Sequence, residues 1–353
     1  WVDYSIILDD ATPSTYGIQV TLDGANGSDV AVRGQTGVDK ILNVENVKGT
    51  YDKDSIKGDI QNNSILGLDG DDILLGEDGK DRLYGGLGTD QLFGGSGDDT
   101  LVGDAGDDTL AGGVGSDKIY GGSETADSGT DTVNYSDALE SIKIDLDLSL
   151  AGGLDDVDVT IEGKSIGSTG DAGQGIDELY GIENVIGSDY EADSIYGSNS
   201  KNIIISQAYD DYIEARDGDD TVITGTGNDT IVASSASDGV DYYDGGTGSD
   251  LLDYSALSSS ISVNLSVTAT HDFDGVGGND SWQVIVSGGN NDIIKDIENI
   301  IGGSANDIII SNSIANEIQG AGGEDTLSGN GGNDSIYGYL KGQSETTTVY
   351  DTG

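Results

Sequence analysis

The residues whose types and spacing suggest chemistry in this chain are aspartates that recur every nine residues. Residues 85–93 read GGLGTDQLF, residues 94–102 read GGSGDDTLV and residues 103–111 read GDAGDDTLA. Each nonapeptide has glycine early, aspartate at position 6 and a large aliphatic residue at position 8. Carboxylate and carbonyl oxygens suit Ca²⁺, whereas Zn²⁺ or copper would favour Cys and His. The spacing therefore predicts rows of carboxylates that bind hard divalent cations.

The composition of the chain independently requires cations. The chain has 66 Asp and Glu residues but only 14 Lys and Arg residues, so its formal charge is -52. A compact chain of this charge would suffer severe self-repulsion, and we expect several Ca²⁺ ions to be part of the fold. The chain has no Cys and one His, which excludes a disulfide scaffold and thiol chemistry. The negative charge also argues against nucleic acid or an anionic membrane as a direct partner.

A nine-residue period belongs to neither a helix nor a hairpin meander. Because side chains alternate along a strand, the aliphatic residue at position 8 points into a core while its neighbours point outward. Glycine supplies 58 of the 353 residues and would weaken nearly every candidate helix. We therefore predict an all-β fold of parallel β-rolls. Its inner ladder would contain Leu74, Leu83, Leu92, Leu101, Leu110 and Ile119, and its outer ladder Asp72, Asp81, Asp90, Asp99, Asp108 and Asp117.

Recurring segments divide the chain into modules. The segments that begin at Val2, Val133 and Leu252 match one another and close a module, whereas those around 41–47, 179–185 and 294–300 open the next. Between them lie eight nonapeptides from Gly49, five in register over 197–241 with a displaced one from Gly245, and four over 302–337. Alternating β-rich sequence at 141–162 and 260–286 predicts hairpins that cap and join the rolls. The sequence predicts a closing segment at 1–36 followed by three modules. Module 1 covers 37–175 with its roll at 49–120, and module 2 covers 176–291 with its roll at 187–253. Module 3 covers 292–353 with its roll at 302–337.

Residues 49–120 resemble the RTX, or repeats-in-toxin, family, whose signature is G-G-x-G-x-D-x-U-x. The blocks at 197–253 and 302–337 resemble it more weakly. The resemblance implies tandem calcium-bound parallel β-rolls, that is, right-handed β-solenoids of nonapeptide repeats, in a protein exported by type I secretion machinery. It also implies that each ion lies between loops two repeats apart. One loop would supply the carbonyls of positions 1 and 3 with its position 6 carboxylate, and the other the carbonyls of positions 2 and 4 with its own carboxylate.

The resemblance can be carried over residue by residue. The implied metal ligands are Gly67, Asp69, Asp72, Gly76, Asp78, Asp81, Gly85, Gly86, Leu87, Gly88, Asp90, Gly94, Gly95, Ser96, Gly97, Asp99, Gly103, Asp104, Ala105, Gly106, Asp108, Gly113, Gly115, Asp117, Asp211, Gly218, Asp220, Gly225, Gly227, Asp229, Asp250, Gly302, Ser304, Asp307, Ala321, Gly323, Asp325, Asn330, Gly332 and Asp334. Some loops depart from the pattern and imply weak or absent sites. They carry Asn63, Asn202 or Asn316 at position 6, or Gln61, Tyr209, Ala236 or Ile314 at position 4.

Two smaller features leave alternatives open. The segment from His271 to Gly275 reads either as an extra calcium loop or as an exposed hairpin tip, and His271 has no Ser or Cys partner that would indicate catalysis. The tyrosines at position 9 read either as a sugar-stacking row or as a shield over the outer face of the roll. They are Tyr84, Tyr120, Tyr196 and Tyr337. No catalytic residue is predicted.

Three function classes remain. We expect a non-enzymatic, calcium-binding segment of a bacterial protein that is secreted or lies at the cell surface. The tandem modules favour an adhesin that contacts cell-surface or polysaccharide ligands through other regions. The alternative is an ancillary module of a polysaccharide-active enzyme or protease. An enzyme or ice-binding surface built on the solenoid itself is disfavoured, because neither clustered catalytic groups nor repeated threonine ranks occur. No apolar run reaches membrane-spanning length, no signal peptide opens the sequence, and the lack of Met suggests a piece of a longer chain.

Overall fold

The structure is a computed structural model in which two compact units, 1–186 and 187–353, are described separately. The described residues are 2–3, 17–22, 28–32, 38–41, 44–122, 129–146, 157–161, 176–233, 239–266, 269–271, 280–282 and 292–339. All regular structure in these ranges is β-strand, so the prediction of an all-β fold is confirmed. Within the same ranges there is no helix of the length and apolarity needed to cross a membrane.

The first unit consists of two stacks of parallel strands with antiparallel extensions. Its strands are β1 (Val2–Asp3), β2 (Ile18–Thr21), β3 (Ser28–Val32), β4 (Val38–Ile41), β5 (Asn46–Lys48), β6 (Ser55–Lys57), β7 (Ser64–Asp69), β8 (Ile73–Asp78), β9 (Arg82–Leu87), β10 (Gln91–Ser96), β11 (Thr100–Ala105), β12 (Thr109–Val114), β13 (Lys118–Gly122), β14 (Thr132–Asn134), β15 (Ile142–Asp145), β16 (Val157–Ile161), β17 (Ile176–Tyr180) and β18 (Asn184–Ile186). One sheet has the order β1-β5-β7-β9-β11-β13-β17-β16-β15, and the other β18-β14-β12-β10-β8-β6-β2-β3-β4. From β5 to β14, consecutive strands therefore alternate between the two sheets, as a β-roll requires.

Strands two repeats apart pair in parallel and in register. In β10, Leu92 lies opposite Leu74 on one side and Leu110 on the other. Each of these leucines is fully buried, whereas the residues beside Leu92 in its strand are more exposed. This alternation stacks identical apolar side chains into an inner ladder, which confirms the predicted core.

The predicted hairpins are present at the ends of the rolls. In the 141–162 segment, β15 pairs antiparallel with β16, and β16 continues antiparallel to β17. The strands β2, β3 and β4 form a similar antiparallel extension near the start of the chain. Such strands cover the open edges at which a parallel stack would otherwise end.

The second unit repeats the architecture with shorter strands. Its strands are β19 (Ser194–Tyr196), β20 (Ile203–Ile205), β21 (Tyr212–Glu214), β22 (Thr221–Ile223), β23 (Thr230–Val232), β24 (Tyr242–Asp244), β25 (Leu251–Asp253), β26 (Ser262–Asn264), β27 (Ala269–His271), β28 (Asp280–Trp282), β29 (Ile293–Lys295), β30 (Asn299–Ile301), β31 (Ile308–Ile310), β32 (Glu317–Gln319), β33 (Thr326–Ser328) and β34 (Ser335–Tyr337). The parallel orders within this unit are β19-β21-β23-β25-β30-β32-β34, β29-β24-β22-β20 and β26-β31-β33. The predicted 260–286 hairpin appears as the antiparallel pair β27 and β28.

The strict register predicted over 197–241 is wrong in its last turn. The backbone N–H of Asp220 reaches Asp241, which lies 21 residues further along the chain, rather than a residue 18 positions away. The next strand, β24, consequently places Tyr243 in the core, opposite Val222. Three additional loop residues shift the register without interrupting the stack.

Candidate calcium-binding carboxylate ladders

The position 6 acids of the first unit form two continuous hydrogen-bonded ladders. In each ladder, one carboxylate oxygen accepts the backbone N–H of the ladder residue on the neighbouring loop, for example Asp81 N to Asp99 Oδ1 at 2.7 Å. The first ladder runs through Asp54, Asp72, Asp90, Asp108, Asp131 and Glu183. The second ladder runs through Asn63, Asp81, Asp99, Asp117 and Asp177. Each acid thereby fixes the loop beside its own.

The second unit contains two comparable ladders and a short extension. The third ladder runs through Asp193, Asp211, Asp229, Asp250 and Glu298. The fourth ladder runs through Asn202, Asp220, Asp241 and Asp292. A separate pair joins Asp307 N to Asp325 Oδ1 at 3.0 Å, and Asn316 N reaches Asp334 Oδ1 at the same distance.

The other carboxylate oxygen, Oδ2, has a different environment in many of these acids. It is buried and accepts no hydrogen bond within the described part of the chain in Asp72, Asp81, Asp90, Asp99, Asp117, Asp211, Asp229, Asp250 and Asp325. Burial of an unpaired polar group costs on the order of 2–7 kcal/mol, and burial of an unpaired charge costs more. A row of such oxygens therefore points to a positively charged partner.

The glycines at position 1 show which other atoms surround Oδ2. A Cβ added to Gly85 would collide with Asp90 Oδ2 and would lie 2.8 Å from the carbonyl oxygen of Gly103 on the neighbouring loop. The same arrangement recurs at Gly67 beside Asp72 and the Gly85 carbonyl. A carboxylate from one loop and a carbonyl from the next thus converge on space that only glycine leaves open. Two hard oxygens from adjacent loops fit the donor preference of Ca²⁺.

The loops implied to share an ion are neighbours in the structure. Ser96 lies opposite Asp78, and Gly79 N donates to Ser96 O at 2.8 Å, so the loops at 76–81 and 94–99 run side by side. The same pairing joins 85–90 with 103–108 and 94–99 with 112–117. In the second unit it joins the loops of Asp211, Asp229 and Asp250, and the loop of Asp307 with that of Asp325. A carbonyl oxygen has two lone pairs, so a hydrogen-bonded position 3 carbonyl retains one for a cation.

Residues 48–92, 93–124, 192–231 and 311–340 match the RTX calcium-binding nonapeptide repeat, in four copies. The chain carries RTX repeats. It is also 31% identical over 147 residues to the metalloprotease AprA of Pseudomonas entomophila (strain L48), a match that covers 41% of this chain and 24% of that protein. The matched region thus spans about a quarter of this relative. The RTX resemblance and the calcium-binding character of the repeats are confirmed.

The RTX loops do not form a metal site from side chains alone. Over the residues that the structure describes, no three Asp, Glu, His or Cys side chains are grouped closely enough to hold a metal ion. Adjacent loops among these residues bring together two carboxylates at most, so backbone carbonyls would have to supply the remaining ligands of a bound ion. Carbonyl-rich coordination is common for Ca²⁺.

Burial raises the pKa of the ladder acids. Desolvation is the main cause, and it raises the pKa of Asp72 and Asp117 to about 8 and that of Asp99 to about 6. Repulsion from neighbouring ladder acids adds to the effect at Asp117, whereas the backbone N–H donated to each carboxylate opposes it. In the second unit, burial raises the pKa of Asp211 to about 8 and that of Asp250 to about 7. The ladders are therefore costly to ionise unless a cation accompanies them.

Several ladder members lie outside the nonapeptide pattern and were missed by sequence reasoning. Asp131 and Glu183 extend the first ladder, and Asp177 ends the second. Glu298 ends the third ladder, just as Glu183 ends the first. The signal was present, because Glu183 and Glu298 belong to the recurring Ile-Glu-Asn segments that open modules 2 and 3. Their role required the three-dimensional pairing of loops that are distant in sequence.

The structure bears on the position 9 tyrosines but not on the segment after His271. The ring centroids of Tyr120 and Tyr180 lie 4.5 Å apart with an interplanar angle of 7°, so these rings cover each other's faces. This stacking favours the shielding interpretation over a sugar-binding row. The proposed calcium loop after His271 falls at 272–279, outside the described residues.

Proposed function

We propose that this chain is a structural calcium-binding region of an extracellular bacterial protein, and that calcium drives its folding. RTX calcium-binding repeats occur in secreted bacterial proteins. The observation that carries the proposal is the row of buried Oδ2 oxygens without hydrogen-bond partners in the described residues, which in the first unit lie beside position 1 glycines. This arrangement of oxygen atoms forms only when the loops stack. The folded chain therefore presents a set of ligands that the unfolded chain lacks.

The unfolded chain remains extended for reasons of charge and entropy. Its net charge of -52 and its 58 glycines oppose collapse. Bound Ca²⁺ would neutralise the carboxylates and link adjacent loops. Because only the stacked loops bind, the binding free energy becomes folding free energy. A chain passed unfolded by a type I exporter into a calcium-rich exterior would then fold there and act as a stiff spacer or terminal region of an adhesin.

The proposal is tested with the purified 353-residue chain. Far-ultraviolet circular dichroism should show little ordered structure in chelator and β-structure after addition of millimolar Ca²⁺. Mg²⁺ at the same concentration should be much less effective, because it demands tight octahedral coordination. A spectrum unchanged by chelator would contradict calcium-driven folding.

A second candidate is an ancillary module of a secreted protease or polysaccharide-active enzyme. The 31% identity to the metalloprotease AprA over 147 residues favours it. In this case the RTX region would assist the folding of a neighbouring catalytic domain. The sequence of the intact gene on both sides of this region distinguishes the two, because an adhesin would continue into further repeats or ligand-binding domains.

A further inference from the structure

The first turn of each roll is closed by a hydrogen bond from its own backbone. The N–H of position 2 donates to Oδ2 of the position 6 aspartate in the turns at 49–54 and 302–307, and in the turn at 187–193, which is one residue longer. These bonds join Thr50 N to Asp54 Oδ2 at 2.6 Å, Ser188 N to Asp193 Oδ2 at 2.7 Å and Gly303 N to Asp307 Oδ2 at 2.8 Å. In Asp99 the corresponding oxygen accepts no hydrogen bond from any described residue. We call the first arrangement a closed turn and the second an open turn.

The second turn of the first two rolls is closed in the same way by a neutral side chain. Asp59 N donates to Asn63 Oδ1 at 2.8 Å, and Ser198 N donates to Asn202 Oδ1 at 2.7 Å. An amide oxygen thus takes the place of the carboxylate and keeps the bond. A closed turn therefore requires neither the negative charge of an aspartate nor a cation to balance it.

Two of the closed turns satisfy both oxygens of their aspartate. Asp54 Oδ1 accepts the N–H of Ile18 at 2.6 Å, and Asp307 Oδ1 accepts the N–H of Ile261 at 2.8 Å. Each of these carboxylates therefore has one backbone donor at Oδ1 and another at Oδ2. Such donors stabilise the charged form, so a cation has less to add. Both isoleucines lie in segments that close the preceding module, and the first turn is fastened to those segments by protein groups.

The backbone of the open turns is left-handed at positions 2 and 4. In the turn at 94–99, Gly95 has a φ of 109° and Gly97 a φ of 136°. The same pair of conformations occurs in further turns of both units, namely those at 67–72, 76–81, 85–90, 103–108, 112–117, 206–211, 215–220, 224–229, 245–250, 320–325 and 329–334. The five closed turns, which the structure describes throughout, contain no residue of positive φ. The two kinds of turn therefore differ in backbone conformation as well as in hydrogen bonding.

Position 4 separates the two kinds of turn in the sequence. The closed turns have a side chain at this position, in Asp52, Gln61, Tyr190, Ser200 and Ala305. The open turns have glycine there, except for Tyr209, whose φ is 77°. A left-handed conformation strains a residue that has a Cβ but not glycine. Glycine at position 4 therefore favours the open turn without being essential to it.

In four closed turns the side chain of position 2 also binds the N–H of position 4. These bonds join Asp52 N to Thr50 Oγ1 at 3.1 Å, Gln61 N to Asp59 Oδ1 at 2.9 Å, Tyr190 N to Ser188 Oγ at 3.0 Å and Ser200 N to Ser198 Oγ at 3.2 Å. Ser, Thr and Asp favour such local bonds in turns. The turn at 302–307 has Gly303 at position 2 and cannot form this bond. Its sequence, GGSAND, departs from G-G-x-G-x-D only at Ala305.

We propose that the closed turns bind no calcium and that calcium binds only between two open turns. This inference rests on the proposed calcium-binding function and narrows it. It removes Gly302, Ser304 and Asp307 from the ligands that the RTX resemblance implies, and with them the ion between the turns at 302–307 and 320–325. The start of each roll is held by hydrogen bonds instead of ions.

Matched asparagine substitutions in the full chain test the proposal. Asp307→Asn and Asp99→Asn each retain an oxygen for the neighbouring backbone N–H, which the two aspartates accept at 2.8 Å and 2.7 Å. Bound calcium is counted by equilibrium dialysis and elemental analysis. Asp307→Asn should bind the wild-type number of ions, because closed turns already accommodate Asn63 and Asn202 at position 6. Asp99→Asn should bind at least one ion fewer.

An ion lost from Asp307→Asn would overturn the proposal, and so would an unchanged number in Asp99→Asn. If the wild type itself binds no calcium, the proposed function fails, and this outcome is distinct from either result in a calcium-binding chain.

Ala305→Gly provides a second test, by gain of an ion. It gives the turn at 302–307 the sequence pattern of an open turn, beside the open turn at 320–325. This variant should bind one ion more than the wild type. Ala305→Gly combined with Asp307→Asn is the matched control and should bind the wild-type number, because the new site needs the carboxylate. An unchanged number in Ala305→Gly, or a gain in the double variant, would overturn the role assigned to position 4.

Discussion

Each aspartate at position 6 uses its two carboxylate oxygens differently. In Asp99, Oδ1 accepts the backbone N–H of Asp81, and the N–H of Asp99 itself reaches Asp117 Oδ1 at 2.8 Å. Oδ2 is left buried without a hydrogen bond in the described part of the chain. A single side chain therefore sets the spacing of two loops and presents an oxygen to a cation. Asparagine would keep an oxygen for the backbone N–H but would lack the charge that attracts a cation, which is consistent with the repetition of aspartate.

Asp99→Ala should weaken at least two calcium sites, because the loop of Asp99 stacks against a loop on each side. Calorimetric titration should show a lower ion number and a higher calcium midpoint than the wild type. Asp98→Ala is the matched control. Asp98 is exposed and pairs with Lys80 on the surface, where such pairs contribute about 0–1 kcal/mol. An unchanged ion number in Asp99→Ala would contradict the shared-ligand arrangement.

Leu68→Gly should stabilise the calcium-bound first unit. Leu68 has a φ of 96°, a left-handed conformation that costs a non-glycine residue roughly 1–2 kcal/mol. Glycine removes this strain but loses about 0.5–1 kcal/mol of backbone entropy on folding, so we expect a small net gain. Thermal unfolding in saturating Ca²⁺ should show a higher midpoint, whereas Leu87→Gly, without positive φ to relieve, should lower it. A lower midpoint for Leu68→Gly would mean that its partly buried side chain matters more than the strain.

At the scale of the element, the strand and the loop of each repeat were predictable to different degrees. The nine-residue period predicted the core residues, because Leu92 and its equivalents at position 8 of each repeat face inward. It could not locate Asp241, whose loop is longer, or Asp177, which joins the second ladder from 60 residues beyond Asp117. Local periodicity reports local geometry, whereas the end of a ladder depends on pairing between distant segments. The ligand sets taken from the RTX resemblance therefore remain predictions even where their loops are adjacent.

The ladders should fold in acid even without calcium. Burial raises the pKa of Asp72 to about 8 and that of Asp90 to about 7, both above the unfolded value of 3.8. The folded state therefore binds these protons more tightly, so protonation stabilises it. This contribution is fully present below about pH 4 and is lost as the pH rises through about 7 to 8.

Circular dichroism of the chain in chelator measures this effect. The β-signal should increase as the pH falls from about 8 towards about 4. In saturating Ca²⁺ the signal should be nearly independent of pH over the same range, because the cations replace the protons. A chain that unfolds further on acidification in chelator would show that desolvation of the ladder acids does not limit folding.

At the scale of the whole molecule, residues 67–120 differ from the blocks of the second unit in having aspartate at position 6 of every repeat. Both ladders of the first unit include successive aspartates with buried Oδ2 oxygens that lack hydrogen bonds among the described residues, such as Asp72 and Asp90 in one and Asp81, Asp99 and Asp117 in the other. In the second unit, the fourth ladder begins at Asn202, and the segment after β30 includes Asn316. In a solenoid each repeat contacts only its neighbours, so stability depends on uninterrupted length.

We therefore expect residues 67–120 to fold at a lower calcium concentration than residues 197–241 and 302–337. Each interior loop of 67–120 can share ions with neighbours on both sides, so binding at one loop favours binding at the next. The interruptions at Asn202 and Asn316 prevent this coupling from extending through the later blocks. Hydrogen exchange during a calcium titration should show protection of 67–120 first. Simultaneous protection of all three blocks, or earlier protection of 302–337, would mean that the hairpin caps rather than the length of the ladders govern stability.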